Sequence, residues 1–188
     1  MSSIMAGLIA YHDGNTTFGW AKSHSNRVAK GVAGSERVIE YLDGSDCEAR
    51  RLRQDGGCMI VKDIGWRTYG FETRDIDPIW QSLDRVRTFH RLLAAILEAS
   101  KWARDREADQ LIWVKKSVVE FMNELKGNNV VIGFDVYFDT EKNTAATVTA
   151  GKFYLTILVQ DMPSIRELNI ELVYSDNWGD TLINYING

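Results

Sequence analysis

The chain is short of the residues that crosslink, break or insert a polypeptide. It has two cysteines, Cys47 and Cys58, in 188 residues, and they form no Cys-x-x-Cys pair. Two isolated thiols fit a reducing compartment and read as small, partly buried residues. With His12, His24 and His90 they do not make a zinc-ligand set, so no metal and no cofactor are expected. Only two prolines occur, which argues against long Pro-rich linkers. No apolar run approaches the roughly 20 residues that span a bilayer, so no membrane insertion is expected. The start, "MSSIMAGLIAYHDG", lacks a basic stretch and a clear cleavage site, so no signal peptide is expected. Without one, the sequon Asn15-Thr16-Thr17 carries little weight.

Catalytic signatures are missing too. "GVAGSE" at 31–36 has neither phosphate-loop nor dinucleotide spacing, and no GxSxG or HExxH occurs. Asp135 and Asp139 share one face of an alternating run, with Asp161 further on. Two acids on a strand face are ordinarily solvated, and His90 beside Phe89 and Arg91 reads as a packed or surface histidine. A small hydrolase would need a pocket joining Asp135, Asp139 and His90 and is a distant alternative, so the chain is not expected to be an enzyme. A net charge of −4 disfavours direct nucleic-acid binding.

What is present is a globular composition, 45% hydrophobic and 26% charged, with six tryptophans. The first 35 residues read as a helical turn and then irregular chain. Ser45 and Glu48 fit a capping box, with Gly56 placed as the C-cap. "CMIVKDIGWRTYGF" reads as one or two strands broken at Gly65. After Asp77-Pro78, the spacing of Val86, Phe89, Leu93, Ile96 and Leu97 predicts a long helix, with Arg85, Arg87, Arg91 and Glu98 around the rest. Val118, Phe121, Met122 and Leu125 predict a second helix, closed by Gly127 and opened by Lys115 and Lys116. Those lysines oppose the helix dipole, which favours an acidic partner or a capping acid nearby.

Three alternating runs follow. Ile132, Phe134, Val136 and Phe138 share one face; so do Phe153, Leu155, Ile157 and Val159; so do Leu168, Ile170, Leu172 and Tyr174. They predict an antiparallel meander with both helices on one face, an α+β, two-layer fold. The end differs. In "DTLINYING" both parities are mixed, so register is weakly specified from within. Such a strand suits a sheet edge or another chain, and Gly179 gives it a place to swing.

Ordered motifs then carry a resemblance. Gly65-Trp66-Arg67, Tyr69-Gly70, Asp77-Pro78 and Arg87-Thr88 are followed by Gly133, Tyr137, Asp139, Asn143 and Ala150-Gly151-Lys152. Their order and spacing resemble the C-terminal half of contractile tail sheath proteins of myophages and R-type pyocins, over nearly all of residues 5–180. The chain departs at "DMPSIRELNI", which keeps only Pro163 of a proline-rich family turn. The resemblance implies a C-terminal piece of a longer structural subunit. Residues 1–176 would be the inner, tube-proximal domain and 177–188 an arm exchanged as a strand through Trp178, Thr181, Leu182, Ile183, Asn184, Tyr185 and Ile186. Lys115, Lys116 and Lys126 would face the tube. Implied partners are other sheath subunits in hexameric rings and a helical lattice, the inner tube protein, the baseplate and the tail terminator. The implied location is the virion, after assembly in the host cytoplasm. Another tail component, of tube or baseplate, is the alternative.

Overall fold

The computed structural model describes residues 2–187. Met1 and Gly188, the outer ends of the two expected segments, lie outside the described residues. The N-terminal stretch is a full helix, α1 (Ser2–Asn15), rather than a single turn. It buries Met5 against Ala29, Ile60 and Phe71. A 3-10 turn at Gly19–Ala21 brings Phe18 and Trp20 onto the main core.

Helix α2 spans Glu48–Gln54. The capping box does not form: Cys47 is the N-cap, without a side-chain cap, and Glu48 accepts from the Glu40 amide instead. The far end matches expectation. Gly56 has φ +76°, Gly56 N donates to Arg53 O at 2.9 Å and Gly57 N to Leu52 O at 2.8 Å, the paired bonds of a Schellman close. Two strands follow, β1 (Met59–Asp63) and β2 (Gly65–Tyr69), paired antiparallel across the break at Gly65. Gly70 explains the Tyr-Gly motif. At φ +81°, a Cβ there would lie 2.5 Å from Gly57 O, so only glycine lets the two loops cross.

Helix α3 (Leu83–Ser100) is rotated from the expected stripe. Its buried line is Asp84, Thr88 and Leu92, while Leu93 and Leu97 are 58% and 55% exposed. Two polar members of the buried line are invisible to an apolar periodicity. Helix α4 (Leu111–Gly127) buries Val114, Val118, Met122 and Leu125, the expected face. Gly127 is its last residue, not its stop. Asn129, at φ 55°, makes the turn: its amide donates to Lys126 O and that of Val130 to Leu125 O.

Strands β3 (Val131–Phe138) and β4 (Leu155–Asp161) form a second antiparallel pair, joined through a short helix, α5 (Ala145–Thr149). A register shift between Val131 and Gly133 flips the parity, so Val131 is buried and Ile132 is not. Phe134 and Val136 then join Leu155, Ile157 and Val159 on the core that holds Met122 and Leu125. Asn143 closes the connection. Its Nδ2 donates to Asp139 O and Tyr154 O, and its Oδ1 accepts from the Tyr154 amide. Full burial of Met122 and Leu125 contributes about 1.5–3 kcal/mol each.

The expected third strand is absent. Among the described residues each sheet has two strands, and 162–175 carry no regular structure. The last segment is a helix, α6 (Gly179–Asn187), not a strand. The physical reason is the absence of a ladder partner: an unpaired strand leaves every backbone group to water, whereas a helix pairs its own. At helical spacing the segment is also better sorted. Leu182, Tyr185 and Ile186 fall at i, i+3 and i+4 beside Ile183, opposite Asp180, Thr181, Asn184 and Asn187. The α+β, antiparallel fold class holds, built as two strand pairs with helices.

Candidate inter-subunit surfaces

Where the ordered body ends is set by the first turn of α3. Arg85 Nε donates to Asp161 Oδ1 at 2.9 Å, and Asp161 is 8% exposed. Ser164 Oγ donates to Asp84 Oδ2 at 3.1 Å, and the Met162 amide donates to Val130 O at 3.0 Å. These bonds fix the chain as it leaves β4. Beyond them the apolar residues face water. Leu168, Ile170, Leu172 and Tyr174 are 72, 82, 96 and 89% exposed. Residues 166–169 only skirt a polar groove of 760 Å³ that also takes in Arg50 and Arg53 of α2.

The arm residues of the sequence reading share this exposure. Trp178, Leu182, Ile183, Tyr185 and Ile186 are all exposed on or before α6, and Thr181 and Asn184 lie on its polar side. All but Trp178 thus lie on one element, whose apolar residues are each more than half exposed.

The three candidate lysines are on α4, but its start corrects their placement. The helix begins at Leu111, so Lys115 and Lys116 lie in its second turn and the conflict with the dipole disappears. Lys115 is half-buried; Lys116 is exposed, with Nζ 5.4 Å from the centroid of Trp113; Lys126 is exposed in the last turn. Glu120 and Glu124 are exposed on the same helix, so its charge is mixed.

A polar cluster lies under α1. His24 is 3% exposed, and its Nε2 is 3.1 Å from Asp13 Oδ1. Arg87 donates to Asp13 Oδ2 and brings Nη1 within 3.1 and 3.2 Å of the His24 ring nitrogens. His12, Asp13 and His24 have ligand atoms within 4.8 Å of one another. The guanidinium already supplies the positive charge there, and the cluster reads as a clamp between α1 and α3. Burial first, then nearby Arg27, pushes the His12 imidazole below its ordinary value of 6.5. Sequence reasoning missed this cluster; its signal was the Arg87-Thr88 pair, which gives the guanidinium to Asp13 and buries Thr88 at 2% exposure. The acids weighed for hydrolysis do not form a site. Asp139 Oδ1 accepts the amides of Glu141 and Lys142, while Asp135 and His90 are exposed.

Known proteins share both sequence and fold with this chain. The phage tail sheath C-terminal domain family matches residues 75–174. A putative prophage major tail sheath protein of Pseudomonas aeruginosa (strain UCBPP-PA14) is 35% identical over 94% of this chain and 46% of its own length. The tail sheath protein of Escherichia phage P2 is 28% identical over 90% of this chain and 43% of its own. The chain thus spans less than half the length of these relatives. Among solved structures, the 6-fold symmetrised baseplate of the anti-feeding prophage aligns with a TM-score of 0.78 at 17% identity, over 93% of this chain and 50% of the other. The contracted sheath complex of the extracellular contractile injection system PVC gives 0.77 at 17%, over 93% and 51%. These two share the fold. With more than half of the residues inside the family match, the chain belongs to the phage tail sheath family.

Proposed function

We propose that this chain is the C-terminal, tube-proximal part of a contractile tail sheath subunit. It assembles with other copies into stacked rings around an inner tube, between baseplate and terminator. Contraction then drives the tube through a target envelope. The subunit is not an enzyme in this reading, since the work comes from the free-energy difference between two arrangements of the lattice. It acts within the phage particle, after assembly in the host cytoplasm. Lys115, Lys116 and Lys126 are its candidate contacts with the tube.

One observation carries the reading: a body with closed cores is followed by apolar chain from Ile165 onward that the body leaves in water. The arm, expected from residue 177, is therefore drawn from Ile165. Its alternating part, Leu168 to Tyr174, suits an open edge of the β3–β4 pair in a neighbouring subunit. Main-chain pairing tolerates reorientation of the bodies that it joins. The test is deletion of residues 165–188 from the full-length subunit, co-expressed with its tube protein. Tubes without sheath in electron micrographs are expected; normal sheaths would defeat the reading.

A further inference from the structure

Helix α6 has nine residues, all of them exposed. A helix that short is marginal in water, so its sorted apolar face calls for a surface. The same chain offers one. Between α3 and α4 lies an apolar hollow of 240 Å³, walled by Ala95, Ile96 and Ala99 on one side and Val114, Val118 and Phe121 on the other. The small Ala95 and Ala99 let a third helix approach closely. No lining residue is charged, and the one charge of α6, Asp180, is on its polar side. At 1.5 Å per residue α6 is about 13 Å long, and the Val114–Phe121 wall about 10 Å.

We propose that α6 of one copy docks into the α3–α4 hollow of a second copy. This rests on the reading of the tail as an inter-subunit arm. The linker explains why the receptor is a second copy. It is fixed at Ser164 on Asp84, some 20 Å along α3 from the hollow at 1.5 Å per residue. Residues 165–178, extended, reach about 45 Å. Docking onto its own hollow would use less than half of that reach and would leave Leu168, Ile170 and Leu172 in water. Pairing of the linker with a neighbour's sheet covers them and delivers α6 to that neighbour. A single short helix buries less than the roughly 1,200 Å² of a stable interface. The contact is therefore weak alone and strengthened by the paired linker beside it.

The test is sedimentation of the 188-residue chain over about a hundredfold range reaching about 1 mM, where contacts of this size begin to populate. Concentration-dependent association is expected. Leu182→Glu on the arm and Ala99→Arg in the hollow should each weaken it at least about tenfold, with the linker pairing left intact. Their equimolar mixture should recover association, because one intact arm meets one intact hollow. Ala99 is exposed and should accept arginine without loss of fold; if the melting temperature falls, Ser117→Arg replaces it. Association of the hollow variants like the unsubstituted chain would overturn the proposal. So would a chain that stays monomeric throughout, whether α6 amides are protected at every concentration, which places the helix on its own body, or at none. The arm reading fails separately: full-length sheath that assembles without residues 165–188 sinks it, while assembly lost on that deletion but kept in Ala99→Arg sinks only the docking site.

Discussion

The core of the body and the tail treat the same residue types in opposite ways. Leu125 at the end of α4 is 0% exposed, while Leu172 in the tail is 96% exposed. Both follow a regular apolar pattern, helical for Leu125 and alternating for Leu172. The difference is whether the chain supplies the opposite surface. Around Leu125, the strands β3 and β4 and helix α3 close the core. Around Leu172 nothing does, although the spacing of Leu168, Ile170, Leu172 and Tyr174 is that of a half-buried strand. A pattern written for burial, on chain left unburied, is what the proposed arm reading rests on.

That contrast is most easily broken from the body's side. Leu125→Ala should cost about 2–5 kcal/mol through lost transfer energy and a cavity. For a chain of this size, about 3 kcal/mol lowers the melting temperature by roughly 6–12 °C. Leu172→Ala, the matching change in the tail, should leave the melting temperature within about 1 °C. Calorimetry of both variants checks the pair. Equal losses would mean that the tail is part of the core.

Much of the body was legible in the sequence. The α4 face, the strand pair split at Gly65 and the inward side of β4 all follow from periodicity. Three features were not, each for a physical reason. The buried line of α3 runs through Asp84, which accepts from the distant Ser164, and through Thr88; both are polar, so an apolar count selects Leu93 and Leu97 instead. The bulge at Ile132 reverses parity at the start of β3, and no residue there announces it. The tail was read at period 2, where "DTLINYING" looks mixed, although at period 3.6 it sorts cleanly. Of the surfaces, the arm residues were placed together, whereas the His24 cluster was missed because its members are far apart in sequence.

A middle-sized effect is expected where the tail leaves the body. Arg85→Met removes the cation from Asp161, a carboxylate left 8% exposed. Because Arg85 is itself about a quarter exposed, the cost is discounted from that of a fully buried pair to about 1–3 kcal/mol. Amide exchange at Met162 should rise as the exit point loosens. Unchanged exchange there would show that the pair does not hold the boundary.

A smaller effect concerns acid. His12 is held below 6.5 in the folded chain, so the unfolded chain binds more protons once the pH falls under that value. Stability is fully present above pH 6.5 and declines as the pH drops through the folded value. Replacing His12 by Gln should flatten the dependence of melting temperature on pH below 6.5. An unaltered slope would assign the acid sensitivity to other groups.

The smallest effect on stability is expected from the change that is harshest locally, Ile183→Pro. A proline inside α6 removes the amide of residue 183 from the helix and clashes with the preceding turn, a local cost of about 3 kcal/mol. That exceeds what a nine-residue helix holds on its own, so α6 should unravel and the far-ultraviolet helical signal should fall slightly. The melting temperature of the body should barely move, because Leu182, Ile183 and Ile186 lend it little buried area: each is more than half exposed. On the proposed arm reading, assembly of the full-length subunit should suffer, since the helical face would be lost. A body destabilised by Ile183→Pro would place α6 in its own core, and the division between a self-sufficient body and an arm built for another copy would fall with it.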